Sequence, residues 1–188
     1  HTNRVTPIDD YPTRLLQTLM SLAPIKCNTS EPVCVLLTPG PLNSAYYEHS
    51  FLSDQMGIEM VESTDLFVEG EFLYMKTVDG PKKVDVVYRR IDDDFLDPLC
   101  FNPNSVIGIP GIMDVYRTGG VNICSAPGAG IADDKAIYIY VPEMIKFYLG
   151  EQPILENVQT WSCNLDDDLN YVLDNLSDLV VKEVDGSG

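Results

Sequence analysis

Residues 33–61 read Val-Cys-Val-Leu-Leu-Thr-Pro-Gly-Pro-Leu-Asn-Ser-Ala-Tyr-Tyr-Glu-His-Ser-Phe-Leu-Ser-Asp-Gln-Met-Gly-Ile-Glu-Met-Val. Val33 to Thr38 is a continuous apolar run of strand length, without the polar alternation of a half-exposed strand, as expected for a parallel strand covered on both faces. Thr38-Pro39-Gly40-Pro41 follows as a rigid turn. Asn43 or Ser44 can then cap a helix running to about Met56, with Glu48 near the positive end of its dipole. Gly57 stops the helix, and Ile58 to Val61 gives the next strand. The stretch is one βαβ unit of the kind a doubly wound sheet is built from.

The pattern continues on both sides. Tyr11 to Ala23 carries apolar residues at helical spacing with Pro12 near its start, and 26–32 is a polar loop. Leu66 to Val68 and Phe72 to Met75 flank Glu69-Gly70-Glu71 and read as a hairpin inserted in the sheet. Val84 to Arg90 is one apolar strand, followed by a loop rich in Asp, Pro and Asn. A short helix from about Gly111 to Arg117 and a strand from Val121 to Ser125 come next. Pro127-Gly128-Ala129-Gly130 is a second glycine turn, opening a helix from Asp133 to Tyr148. Residues 151–178 are less regular, and Leu179 to Val184 is a final strand. The fold class expected is α/β, with a mainly parallel, doubly wound, Rossmann-like sheet carrying the inserted hairpin. The expected organisation is an N-terminal helix and linker over 1–32, a central α/β domain over 33–150, and the start of a further subdomain over 151–188.

Composition limits the partners. The formal net charge of −17 argues against nucleic acid or an anionic membrane, both of which need basic surface. No apolar stretch approaches the roughly 20 residues a membrane span requires. Five scattered cysteines (27, 34, 100, 124 and 163) without CxxC spacing fit buried thiols in a reducing cytoplasm rather than a disulfide frame or a zinc site. The acidic runs Asp92-Asp93-Asp94 and Asp166-Asp167-Asp168 read first as solvated loops or helix starts. The chain opens on His1 rather than Met, which suggests excision from something longer. Oligomeric state is not legible.

Ligands of such sheets lie beyond the carboxyl ends of the strands. Thr38 to Ser44, Arg89 to Asp94 and Ser125 to Lys135 are therefore expected to gather there. Arg89 and Arg90 point to opposite sides of their strand, and either can offer a two-pronged fork to phosphate or carboxylate, or pair with Asp92 to Asp94. Those aspartates could alternatively hold a divalent cation. Gly128 to Lys135 matches neither GxGxxG nor a Walker loop. Its Asp133 and Asp134 suit a helix cap, whereas Lys135 one turn into a helix opposes the dipole and so invites a functional reading. His49, inside a helix, reads as packed or solvent-facing; the lack of a second internal histidine argues strongly against a histidine metal site or a nucleophilic triad. Tyr138, Tyr140 and Tyr148 read as packing residues. At 179–188, Leu-Val-Val-Lys-Glu-Val-Asp-Gly-Ser-Gly offers a lysine and a glycine turn to a phosphate chain, or is a strand with a flexible tail.

Several of these segments together resemble one family. They are residues 37–49 (Leu-Thr-Pro-Gly-Pro-Leu-Asn-Ser-Ala-Tyr-Tyr-Glu-His), 86–99 (Val-Val-Tyr-Arg-Arg-Ile-Asp-Asp-Asp-Phe-Leu-Asp-Pro-Leu), 128–138, 140–145 and 180–188. The family is the circularly permuted ATP-grasp proteins of type 2, distantly similar to glutathionylspermidine synthase. The resemblance runs from about Val5 to the end. It implies a pre-ATP-grasp sheet followed by the beginning of an ATP-grasp subdomain, and a cytoplasmic ligase that activates a carboxylate as an acyl phosphate for attack by an amine. It implies ATP and magnesium as cofactors, with unknown carboxylate and amine substrates. Lys135 and Lys182 match the two lysines that contact ATP phosphates, and Asp185, Gly186, Ser187 and Gly188 match the start of the phosphate-covering loop. Arg89 and Arg90 are the candidate catalytic residues. An acidic Glu-x-Asn segment that would hold magnesium is not found upstream of Tyr11, so no metal ligand is assigned, and the chain is expected to be a central fragment, silent alone. A non-catalytic binding or scaffold module of the same fold, and a phosphotransferase using the same lysines, are the alternative readings.

Overall fold

The computed structural model describes residues 7–184, which divide into two compact units, one ending at Pro127 and one starting at Gly128. In the first unit, helix α1 (Tyr11–Ser21) precedes β1 (Cys34–Leu37), α2 (Tyr46–Met56) and β2 (Glu59–Val61). A meander of β3 (Leu66–Glu69), β4 (Phe72–Met75) and β5 (Lys82–Val84) leads into β6 (Val86–Arg89), the short helices α3 (Asp93–Leu96) and α4 (Ile112–Arg117), and β7 (Asn122–Cys124). Strands β2, β1, β6 and β7 form, in that order, an all-parallel sheet.

All four residues of β1 are buried, which explains its unbroken apolar sequence. Alternate side chains serve opposite faces. Cys34, Leu36 and Val86 pack with Leu19 of α1 and with Leu52 and Met56 of α2. Val35, Leu37, Val87 and Ile123 face the other way, into a larger core. Doubly wound architecture predicts helices there. Instead that face is shared between the meander, through Leu66, Leu73, Met75 and Val84, and the segment of α3 and α4, through Leu96, Ile112 and Val115.

Two expectations are corrected here. The inserted element is a three-stranded antiparallel sheet, β3-β4-β5, rather than a hairpin. Correspondingly, the single strand expected over Val84 to Arg90 is two strands in different sheets. Asp85 makes the break. The N–H groups of Asp85 and Val86 both reach the Val33 carbonyl, at 2.9 and 3.1 Å, which turns the chain out of one ladder and into the other. The buried Asp85 carboxylate fixes the turn by accepting from the Val33 N–H at 3.0 Å and pairing with Lys83 Nζ at 3.0 Å. The close approaches around this layer also explain two glycines: a Cβ on Gly120 would lie 1.9 Å from the Glu71 carbonyl oxygen, and one on Gly108 would lie 2.2 Å from that of Phe95.

Asp97, wholly buried, holds the loop between β6 and β7 together. Its Oδ1 accepts from the N–H groups of Leu99 (2.9 Å) and Gly111 (3.1 Å), and its Oδ2 accepts from that of Met113 (3.0 Å). The carboxylate thus caps α4 from a distance and meets the positive end of its dipole.

The second unit contains a 3-10 turn (Ala129–Asp133), α5 (Ile137–Leu149) and α6 (Asp166–Asp174). α5 starts later than the Asp133 expected from sequence, because Asp134 Oδ1 accepts from the Ala136 N–H at 2.7 Å and ends the preceding turn. Pro142 lies inside α5 and has no N–H to give to the carbonyl four residues earlier. That carbonyl, of Tyr138, accepts instead from Asn157 Nδ2 at 2.7 Å. The expected strand at 179–184 is not present: those residues join no sheet. Both acidic runs begin helices, with Asp93 and Asp94 in the first turn of α3 and Asp166, Asp167 and Asp168 in that of α6.

Candidate nucleotide-binding site

The second unit carries a half-open cavity of about 970 Å³. Its lining comes from three stretches, the turn and first residues of α5, residues 158–164 and residues 178–184, together with Val172 of α6. Lys135 and Lys182, far apart in sequence, both line it. The backbone brings their segments together, since the Lys135 N–H donates to the Val184 carbonyl at 3.0 Å. A correction applies to Lys135. It directly precedes Ala136, the N-cap of α5, rather than lying one turn inside the helix, so its charge still sits at the positive end of the dipole.

The third wall is fastened by the same features that accommodate Pro142. Asn157 holds the Tyr138 carbonyl, and the Val158 N–H donates to the Tyr138 hydroxyl at 2.8 Å. Trp161, on the lining, stacks against Tyr171 of α6 at 4.7 Å, and the Ser162 N–H donates to Asp168 Oδ2 at 2.9 Å. Ile137, Ile139, Val141, Val158 and Val180 add apolar wall beside the two ammonium-bearing residues. Its apolar walls offer aliphatic contacts to a base and its two lysines offer ammonium groups to phosphates, beside the carboxylates of Asp133, Asp134 and Asp178 that line it too. Asp185, Gly186, Ser187 and Gly188, the expected phosphate-loop residues, lie outside the described residues. Among the described residues, no group of three or more His, Cys, Asp or Glu is arranged to hold a metal ion.

The arginine candidates belong to the first unit. Arg89 is buried against the larger core side. Its guanidinium donates to the carbonyls of Ser125 (2.7 Å), Ile91 (2.6 Å) and Ala126 (3.1 Å) and to Asp93 Oδ1 (2.7 Å). It ties the segments that follow β6 and β7 to one another. Arg90, on the opposite side, pairs with Glu48 Oε1 at 2.6 Å and lies over the Tyr88 ring. Neighbouring arginines therefore have different surroundings, as their alternation along the strand requires.

His49 is buried, as its position in a helix suggested, with Nδ1 2.9 Å from Thr38 Oγ1. Burial pushes its imidazole below the ordinary value; Arg90 acts in the same direction, and Glu48 opposes. The fold therefore holds His49 neutral, while the unfolded chain takes up a proton near pH 6.5. Stability from this residue is fully present above that pH and is lost as pH falls through it toward the depressed folded value. The stability advantage of the native chain over His49→Gln is expected to shrink between about pH 7 and 5 in urea titrations. A difference independent of pH would contradict a neutral buried imidazole.

The sequence matches the family model described as a circularly permuted ATP-grasp over residues 1–188. The chain belongs to the circularly permuted ATP-grasp family. This ATP-grasp chain is 55% identical to the uncharacterized protein sll0335 of Synechocystis over 98% of its own length and 38% of that protein's. It is 51% identical to the uncharacterized protein Rv2411c of Mycobacterium tuberculosis, over its full length and 34% of the relative's. A Frankia alni protein named "Putative glutamate--cysteine ligase 2-3" is 42% identical over 94% of this chain and 20% of its own. The chain thus spans about a third of the first two relatives and a fifth of the third. Among the described residues of this ATP-grasp chain, no helix is long and apolar enough to cross a membrane.

Sequence reasoning missed Glu48 as the partner of Arg90, and it missed Asn157 and Trp161 in the second unit. Glu48 and Arg90 meet only through the pairing of β1 with β6, and nothing local announces it. Asn157 could have been suspected, because a proline within an otherwise helical stretch leaves a carbonyl that needs a donor from elsewhere.

Proposed function

We propose that the whole protein is an ATP-dependent carboxylate–amine ligase, and that the cavity of the second unit holds the nucleotide. The observation that carries this reading is the convergence of Lys135 and Lys182 on one cavity. ATP, when bound, supplies the phosphoryl group that turns a carboxylate into an acyl phosphate open to attack by an amine. The chain's own part is to bind and orient. Lys135 and Lys182 offer compact positive charges to a phosphate chain, and as flexible point charges they can follow negative charge as it shifts. The apolar wall and the stacked Trp161 exclude water from one side. Asp185 to Gly188 continue the chain beyond Lys182 and are assigned as the start of the loop that covers the phosphates. Magnesium ligands are assigned to other parts of the whole protein, and the 188-residue chain alone is expected to turn over no ATP.

The ligase names of the Frankia relatives support the same class, with an amino-acid carboxylate and an amine as substrates. The test is ADP release by the full-length protein with magnesium and ATP, screened over amino acids, short peptides and polyamines. Release that requires both a carboxylate and an amine is the expected result. Phosphate transfer needing no amine, or no nucleotide turnover under any pairing, would overturn it.

A further inference from the structure

The parallel sheet of the first unit reverses its strand order between β1 and β6, since β2 lies on one side of β1 and β6 on the other. The chain leaves β1 for α2 on one face and leaves β6 for α3 and α4 on the other. Open α/β sheets take their ligands in the crevice that opens at such a reversal, beyond the carboxyl ends of the strands. The charged groups found there are of both signs. Arg90, directly after β6, donates its N–H to the Leu37 carbonyl at the end of β1 (2.8 Å), so its position is fixed by the sheet. Its side chain is 27% exposed and pairs with Glu48, which is 55% exposed. A second carboxylate, Glu62, follows β2. A Cβ built on Gly40 would lie 3.4 Å from it, so Glu62 lies against the loop after β1; its carboxylate also accepts from the Asp65 N–H, a neutral donor that leaves its charge unpaired. Beneath the loop, Thr38 and the neutral His49 add hydrogen-bonding capacity and no charge.

We propose that this crevice binds a small zwitterion, an α-amino acid, with Arg90 taking its carboxylate and Glu48 and Glu62 its ammonium group. The pair is open to water on its Glu48 side, where ion pairs contribute little, so a ligand carboxylate can take the place of Glu48 at little cost. The exchange restores a charge-assisted, fork-shaped contact for Arg90 and releases Glu48 toward the ammonium group. A ligand with one charge would leave either the arginine or the carboxylates unanswered. Arg89 has no part in contacting the ligand: it is buried, four of its five donors are engaged by Ser125, Ile91, Ala126 and Asp93, and it acts as a positioning residue for the loops that follow β6 and β7. The choice of an amino acid within the zwitterion class rests on the ligase reading; the crevice and its charges do not.

The test is a thermal-shift screen of the full-length protein, without nucleotide, against each of the twenty L-α-amino acids at millimolar concentration. At least one is expected to raise the melting temperature. Its counterpart lacking the amino group, and its decarboxylated amine, are expected to give no shift. Arg90→Ala should weaken binding of the amino acid at least tenfold and Glu48→Gln several-fold, with ATP affinity unchanged in both. Glu48 is exposed enough that its substitution reports on binding even if Arg90→Ala misfolds. No shift with any amino acid, or an affinity that Glu48→Gln leaves intact, would overturn the proposal. ATP turnover without an amino-acid shift sinks this inference and spares the ligase reading. An amino-acid shift in a protein that never binds ATP does the reverse.

Discussion

Replacing Asp97 by alanine is expected to remove about 3–5 kcal/mol of stability from the first unit. The residue is wholly buried, and its two oxygens accept from three backbone N–H groups, those of Leu99, Gly111 and Met113. Alanine strands the buried Met113 donor and takes the partner from those of Leu99 and Gly111 at the edge of the core; a buried donor left unpaired costs about 1–3 kcal/mol. It also removes the negative charge at the start of α4, whose Ile112, Met113 and Val115 are buried. Small domains have total stabilities of only about 5–15 kcal/mol, so the variant is expected to lose a third or more of a typical domain's stability and to melt at a clearly lower temperature. Asp97→Asn should lie between, since its amide oxygen can serve Leu99 and Gly111 while its NH₂ group faces the Met113 donor. Chemical denaturation followed by circular dichroism measures both. An alanine variant within 1 kcal/mol of the native protein would show that water replaces the carboxylate.

The second large effect concerns Lys135 and Lys182. If both contact the phosphates, Lys182→Ala or Lys135→Ala in the full-length protein should lower ATP turnover by about 10²–10³-fold, the scale associated with losing a charge-stabilising group aimed at a reacting centre. Lys182 is exposed on the cavity lining, so its truncation leaves no buried partner stranded and the fold should be unaffected. Arginine at either position should rescue only in part, because its planar fork cannot follow the phosphate chain as an ammonium group does. Unchanged turnover in both alanine variants would move the nucleotide elsewhere.

The parallel core was legible because burial on both faces leaves a plain mark. Val33 to Leu37 could hardly be anything but a covered strand, and Gly57, at φ +68°, ends α2 where its sequence position indicated. The meander was half legible. Its third strand, β5, opens on two lysines, one exposed and one half-buried, and presents a single buried residue, Val84, so it lacks an apolar signature of its own. The break at Asp85 was hidden for a related reason: a polar residue within an apolar run reads as tolerated until its hydrogen bonds to Val33 are seen. The segment 179–184 has the composition of a strand and yet joins no sheet, because a strand is defined by its partner as much as by its residues.

The site followed the same division. Residue type marked Lys135, Lys182, Arg89 and Arg90 as unusual, whereas their surroundings depended on tertiary contacts. Arg89 and Arg90 could not be told apart by sequence, and they differ completely in space. The cavity itself depends on Asn157 and Tyr138, joined across a loop by a hydrogen bond whose cause is Pro142. Only the chemical need, a carbonyl without its helical donor, was present in the sequence.

The claim that the second unit is a nucleotide site is tested most directly by titrating ATP, with magnesium, into the full-length protein and into its Lys135→Ala/Lys182→Ala double variant by isothermal calorimetry. The account predicts saturable, roughly micromolar binding to the native protein that the double variant weakens at least a hundredfold. Equal affinity in the two proteins, or no binding to either, would contradict it.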